Sequence, residues 1–301
     1  MALRTQITER QRRLGSELRR LRIRAGLSVA EGARLIDMGA PQLSHIEAAR
    51  TAIPAHRLRD LASGYGCMDA PYVDELVRMA ESSGKGWWSE YRKTRPQTWL
   101  DLAELEDTAT SIRSHETLLV PGLLQTEAYV RALVGAGVPD ASREAVETVV
   151  RYRMARQAVL DPPHGTPLHA VIHEAALHVV VGDSRVMRTQ LSHLLHMAAR
   201  PNVTIQILPF DAGPGAWRSA PFLQVEAAVA QLGSVVIEHP GDSVVLDDEE
   251  SLDQYRATFD ELARSALPPV VLNDRAEAHV HRDSWGLIQH LIYTHQEKLR
   301  D

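Results

Sequence analysis

Through the first 82 residues, apolar side chains recur at intervals of three and four, with turn formers between the runs. Leu14, Leu18, Leu21 and Ala25 mark one side of a helix that Gly26 ends. Ser28, with Glu31 three residues later, forms a capping box for a second helix carrying Val29, Ala33 and Ile36 inward. After Asp37-Met38-Gly39-Ala40-Pro41, a third helix holds Leu43 and Ile46 on one face. A fourth runs from about Pro54 to Ser63 with Leu58, Leu61 and Ala62 inward, and Asp69 caps a fifth that carries Tyr72, Val73, Leu76, Val77 and Ala80. The pattern predicts a compact all-helical domain.

Ser82-Ser83-Gly84-Lys85-Gly86 is the strongest boundary signal. Trp87, Trp88, Tyr91 and Trp99 follow as an aromatic cluster able to clamp this linker to either neighbour. Helical periodicity then covers 101–113, 123–136 and 142–160, and Asp161-Pro162-Pro163-His164-Gly165 breaks the last of these. Beyond the break the period shortens. Segments 167–173, 203–208, 221–226, 234–239 and 243–246 are short, rich in β-branched residues and bounded by Pro, Gly or Asp, as strands are. Helices at 186–199 and 248–265 pack on them, the second opening on Asp247-Asp248-Glu249-Glu250 at the positive end of its dipole. The expected fold class is α+β: an all-α domain at 1–83, a mixed α/β domain at 84–271, and a strand-and-helix extension at 272–301.

Composition narrows the function. Charged residues at 24% and hydrophobic residues at 44% exclude a disordered chain, a collagen-like fibre and a coiled-coil rod. A single cysteine, Cys67, excludes an intramolecular disulfide and a cysteine-based zinc cage. With no apolar signal core and no long apolar run, the expected location is the reducing cytoplasm, away from membranes. The net charge of −6 conceals an asymmetry: residues 1–60 hold 12 Arg against 6 Asp or Glu, a balance of +6, which leaves −12 for the remainder. A basic head on an acidic body suits two different partners.

The segment 27–50, LSVAEGARLIDMGAPQLSHIEAAR, predicts two short helices joined by a tight turn. The small Ala33 allows them to cross steeply. With Leu43 and Ile46 inward, Gly39, Ala40, Gln42 and His45 point outward at the helix start, where side chains approach base edges in a major groove. Gln42 suits adenine, and His45 a base or phosphate. Arg12, Arg13, Arg19, Arg20, Arg22, Arg24 and Arg50 are candidate phosphate contacts. A helical bundle with surface arginines that binds another protein is the plainer alternative.

The string L-S-x-x-E-x-A-R-L-I, followed by Q-L-S-H-I-E-x-x-R, resembles the lambda-repressor or Xre-type helix-turn-helix family. The resemblance implies double-stranded DNA as partner, contacts from Ser28 and Val29 at the start of the second helix, and a structural role for Glu47. There are departures. Val29 stands where the family commonly has Gln, Asp37 and Ala49 stand where glycines commonly make the turns, and His45 replaces a commoner Arg, which makes part of the contact pH-dependent.

Further along, Gly86-Trp87-Trp88-x-Glu90-Tyr91, Leu119-Val120-Pro121-Gly122-Leu123-Leu124-Gln125-Thr126-Glu127, Arg153-Met154-Ala155-Arg156-Gln157, Arg200-Pro201-Asn202-Val203 and Leu208-Pro209-Phe210-Asp211-Ala212-Gly213 resemble, in order and spacing, actinobacterial regulators that join an Xre head to an antitoxin-like DUF5753 domain. That resemblance covers about residues 10–267. It implies a DNA-binding transcriptional regulator, often encoded beside a small acidic partner protein. A homodimer is expected because one short recognition helix gives little specificity, and a repressor more than an activator because occlusion needs no polymerase contact. A partner protein or small-molecule ligand is expected to bias DNA affinity. An antitoxin-like module that sequesters a small partner is the alternative. Phe210, Trp217 and Phe222, near a Gly-Pro-Gly loop, are candidate apolar walls of a ligand pocket.

Enzymatic readings find little support. The histidines of His173-Glu174-Ala175-Ala176-Leu177-His178 lie five apart, about 140° around a helix, unlike the four-residue spacing of a zinc protease. His279, His281, His290 and His295 suit a metal less well than a solvated surface, and Leu287, Ile288, Leu291 and Ile292 form an apolar stripe for packing or dimer contact. No serine nucleophile elbow, phosphate-binding lysine loop or Cys-His pair occurs. The sequence supplies no catalytic constellation, metal cage or cofactor motif.

Overall fold

The structure, a computed structural model, describes residues 4, 6–138, 140–213, 220–239, 242–271 and 282–299. The chain divides into two compact units, Met1–Leu105 and Glu106–Asp301.

Five helices build most of the first unit: α1 (Glu9–Arg24), α2 (Val29–Arg34), α3 (Ala40–Glu47), α4 (Ala55–Gly64) and α5 (Ala70–Glu81). Their starts follow the chemistry of their caps. Thr8 and Gln11 cap α1 reciprocally, Ser28 and Glu31 do the same for α2, and the Asp69 carboxylate accepts from the amide of Tyr72. Leu18, Leu43, Leu58, Leu61 and Leu76 are completely buried at the centre. Val29, expected inward, is only half-buried, and α2 ends at Arg34, so the buried Ile36 belongs to the turn.

The first compact unit runs past the boundary expected after residue 83, to Leu105. Gly84 is buried with φ +63°, and Trp88, packed edge-on against Trp87, is buried too. The helix α6 (Gln97–Asp107) places Asp101 3.0 Å from the Arg12 guanidinium of α1. The aromatic cluster thus belongs to the first unit, and the residues after the Gly-Ser stretch carry charged partners for α1.

In the second unit a six-stranded sheet has the order β3-β2-β1-β4-β5-β6. Its strands are β1 (Ser111–Glu116), β2 (Leu168–His173), β3 (Val203–Leu208), β4 (Phe222–Glu226), β5 (Ser234–His239) and β6 (Asp242–Leu246). The first three pair in parallel and the others antiparallel. Helices α7 (Glu127–Gly137) and α8 (Arg143–Arg156) connect β1 to β2, and α9 (Ala175–His178) with α10 (Ser184–Ala198) connects β2 to β3. One face packs Ile112, Ala170, Ile172 and Ile205 against Leu191 and Leu194 of α10. The other packs Val171, Leu208 and Val235 against Leu252, Phe259 and Leu262 of α11 (Glu249–Ser265).

Two expectations fail here. The predicted helix over 101–113 stops at Asp107, and Ser111–Glu116 becomes the strand between β2 and β4. Its sequence, SIRSHE, is polar; burial of Ser114 and His115, with the His115 ring Nδ1 3.1 Å from the Val171 carbonyl, comes from the neighbours and not from hydrophobicity. Nor do residues 282–299, the described part of the expected extension, stand apart from the core. Helix α12 (Ser284–Glu297) buries Ile288, Leu291 and Ile292 in the core beside α10, and the Ser284 hydroxyl accepts from the Ile207 amide at 2.9 Å. His279 and His281 lie outside the described residues.

Candidate nucleic-acid interface

The α2–turn–α3 segment is held from behind by close backbone approach. At Gly15 of α1, a Cβ would stand 2.4 Å from the carbonyl oxygen of Glu47 and 3.0 Å from that of Ile46, so α1 lies directly against the end of α3. At Gly32 of α2, a Cβ would stand 2.7 Å from the Tyr65 hydroxyl and 2.9 Å from Cδ of Arg22. The small residue that admits the steep crossing is therefore Gly32 as much as Ala33. Asp37 (φ +50°), in the turn between α2 and α3, and Ala49 (φ +57°), just after α3, both take the left-handed conformation. These are the positions where the resembled family commonly has glycine, so the backbone path is kept at some cost in strain.

Beneath the turn lies a buried ion pair. Arg22 donates from Nε and Nη2 to the two carboxylate oxygens of Glu47, at 2.6 and 2.8 Å, and from Nη1 to the Leu27 carbonyl at 2.8 Å. The hydrogen bonds it donates to Glu47 hold the Arg22 guanidinium even further into its charged form, and burial beside Glu47 pushes the Tyr65 phenol up to about 12. Arg22, expected at phosphate, is thus a structural residue, corrected by its burial and bidentate partner. Arg13 is buried against Glu17, Arg20 also pairs with Glu17, and Arg12 pairs with Glu9 and Asp101. These four arginines are engaged internally because the helical unit needs cations opposite its buried carboxylates. Arg24 is exposed, and Arg19, Arg50 and Arg57 carry no ion pair among the described residues.

With Leu43 and Ile46 buried, the fully exposed line of α3 is Pro41, Ser44 and Ala48. Gly39, just before the helix, is exposed, whereas Ala40, Gln42 and His45 are half-buried. At about 100° per residue, His45 lies beside that line, while Gln42 turns toward its flank. The outward edge is centred one residue away from where spacing alone puts it, and Ser44, Pro41 and Ala48 are the additions. Ser28 is exposed at the start of α2, but its hydroxyl is taken by Glu31 at 2.6 Å, which makes it a cap first.

The sequence did contain signals for the missed residues. Gly15 interrupts α1 on the side of Leu14 and Leu18, where a helix-interior glycine marks close approach. Arg22 falls four residues after Leu18, inside the apolar stripe.

Of the three residues expected to wall an apolar pocket in the body, two are among the described residues. Phe222 is buried, with its ring 4.8 Å from Tyr255 and 6.3 Å from Phe259 between centroids, so it fills the core under α11. Phe210 is half-exposed beyond β3, edge-on to His173 at 5.4 Å and tilted over His178 at 5.7 Å. Trp217 lies outside the described residues. The motifs around Gln125 and Arg153 instead form a connected polar network. Gln125 donates to the Val120 carbonyl at 2.7 Å and accepts from Arg153 at 2.9 Å, Gln157 donates to the Gln125 carbonyl at 2.7 Å, and Arg156 pairs with Glu106.

Residues 99–271 match the model of a domain of unknown function, DUF5753. The chain belongs to the DUF5753 family. Residues 13–76 match a helix-turn-helix domain, the type found in DNA-binding regulators. The two matches give the architecture that the sequence motifs resemble. No curated protein and no solved structure matches the chain. No helix among the described residues is long and apolar enough to cross a membrane.

Proposed function

We propose that this DUF5753 protein is a sequence-specific transcriptional regulator, a cytoplasmic repressor that inserts the outward edge of α3 into the major groove. The observation that carries the reading is the exposed line Pro41-Ser44-Ala48, with His45 beside it, on a helix fixed from behind by Gly15 and the Arg22–Glu47 pair. Gly39, Ala40, Ser44 and His45 meet base edges, Gln42 reaches in from the flank, and Ser28, Val29 and Arg24 border the adjacent strand. Arg50, exposed just after α3 and without an ion pair among the described residues, neutralises a phosphate.

A helix this short reads few base pairs, so two copies on paired half-sites supply the specificity. The second unit is the candidate dimeriser and sensor of a protein or small ligand. Titrating the full chain against duplex from upstream of its own gene, at rising salt, tests the reading. Binding is expected to weaken steeply, with a logarithmic slope of about −0.9 per phosphate contacted. No complex even at low salt, together with a co-purifying small protein, would favour partner sequestration instead.

A further inference from the structure

The first unit contains a cavity of ≈ 360 Å³ between the N-terminal arm and residues 83–100. That is within the range of small-ligand sites. Arg4 and Gln6 line it from the arm, Arg92 and Gln97 from the opposite side, and Trp88 and Leu100 supply apolar surface. No carboxylate is among the lining residues, although Glu104 is hydrogen-bonded to the lining Thr8 and attracts Arg92, and Asp101 accepts from the lining Gln97 at 2.8 Å. Each of the two guanidiniums gives one N–H to a backbone carbonyl: Arg4 to Ala49 at 2.9 Å, Arg92 to Gly84 at 2.8 Å. Neither has an ion pair among the described residues, although a guanidinium has five N–H donors. Apart from Leu100, the lining lies outside both matched segments, 13–76 and 99–271.

Arg4 also touches the turn after the recognition helix. Its side chain holds the carbonyl of Ala49, a left-handed residue two positions after α3, and its backbone amide donates to the carbonyl of Arg50 at 2.8 Å. One residue therefore borders the cavity and secures the turn that positions Arg50.

We propose that this cavity binds a small organic or inorganic anion, a carboxylate or phosphate group seated between Arg4 and Arg92, and that the bound anion fixes the turn after α3 and so tightens DNA binding. Two guanidiniums lining one space with donors to spare favour an anion, the Gln6 amide and the second N–H of Gln97, whose first goes to Asp101, offer it further hydrogen bonds, and Trp88 and Leu100 accept a compact apolar part. Removal of Arg4 from water lowers its pKa from the usual guanidinium value, the condition that an anionic ligand relieves. The regulatory half of this inference rests on the DNA-binding reading above, and the anion site does not.

The test uses the full chain with inorganic phosphate and, separately, succinate as probes at constant ionic strength. Isothermal titration is expected to show saturable binding by at least one probe, about tenfold weaker in Arg92→Gln and in Arg4→Gln, since each loses a charge-assisted contact. Arg92 is exposed, so its replacement leaves the fold intact. Hydrogen exchange of the Arg50 and Thr51 amides is expected to slow on probe binding in the unmodified chain and not in Arg92→Gln. Duplex affinity is expected to rise by about fivefold or more at saturation. Absence of saturable binding by both probes, or equal binding by Arg92→Gln, overturns the site. Binding without any change in exchange at Arg50 and Thr51 overturns the coupling. A chain that binds probe and slows those amides, yet binds no duplex, supports the site and contradicts the DNA-binding reading alone.

Discussion

Replacing Gly15 by Ala sets two effects of known size against each other. Alanine is favoured over glycine inside a helix by about 1 kcal/mol. At Gly15, however, the added methyl would stand 2.4 Å from the Glu47 carbonyl oxygen and 3.0 Å from both its carbonyl carbon and the Ile46 oxygen. Relaxed C–H···O contacts need about 3.3 Å, so α1 and α3 must part by roughly 1 Å. The obstacle is backbone and cannot swing aside as a flexible side chain would. Forced overpacking of this kind costs about 1–3 kcal/mol, which cancels the alanine gain and leaves a net destabilisation of up to about 2 kcal/mol. Gly135 in α7 provides the control: it is exposed, an added methyl would meet nothing within 4 Å, and Gly135→Ala should stabilise by up to about 1 kcal/mol. Urea unfolding of the full chain, followed by hydrogen exchange at α1 and α3 for the first variant and α7 for the second, separates the two. A Gly15→Ala protein stabilised as much as Gly135→Ala would refute the close packing of α1 on the recognition helix.

Arg22→Ala should destabilise the first unit by about 3–5 kcal/mol, because Glu47 is left buried and unpaired, whereas Arg50→Ala should leave stability within about 0.5 kcal/mol and flatten the salt dependence of duplex binding by about one unit of slope. Chemical denaturation and salt titration check both, and a stable Arg22→Ala chain with reduced salt slope would return Arg22 to the phosphates. Burial and the nearby Glu238 carboxylate push Glu116 up to about 8. Since the folded-state value lies above the unfolded one, its stabilising contribution is full below about pH 4 and is lost as pH rises through 8. Unfolding free energy measured from pH 5 to 9 should therefore fall less steeply in Glu116→Gln, and an unchanged slope would contradict the assignment. Phe222→Ala should cost the second unit about 3–5 kcal/mol as a core truncation, with Phe210→Ala far milder; thermal unfolding decides, and equal small losses would restore Phe222 to an open pocket wall.

Much of the fold was legible wherever a local rule and the tertiary environment agree. The caps at Ser28, Asp69 and Asp248 fall at helix starts, and the β-branched strands β2 and β3 appear within a residue of their expected limits. Strand β1 was hidden, since Ser114 and His115 are buried by position between β2 and β4 and carry no strand signature of their own. The candidate interface was legible as a helix pair, because Leu43 and Ile46 define its inner face. Which arginines remain available was not: Arg22, Arg13 and Arg20 find their carboxylate partners through folding, two within α1 and one 25 residues away on α3. The boundary after Leu105 was masked in the same way. A Gly-Ser run signals a flexible peptide, but Asp101, on a later helix and 89 residues from Arg12 in sequence, is tied to α1 through that arginine.

The central claim, that the exposed edge of α3 enters a DNA groove, is tested most directly by placing a unique thiol there. The only native cysteine is Cys67, so Cys67→Ser combined with Ser44→Cys gives a single reactive site on the outward line. Disulfide cross-linking to duplexes carrying a tethered thiol at one major-groove base position at a time should trap the complex over a few adjacent base pairs in each half-site. Uniform failure to cross-link in a complex that still forms, or capture only of another polypeptide, would contradict it.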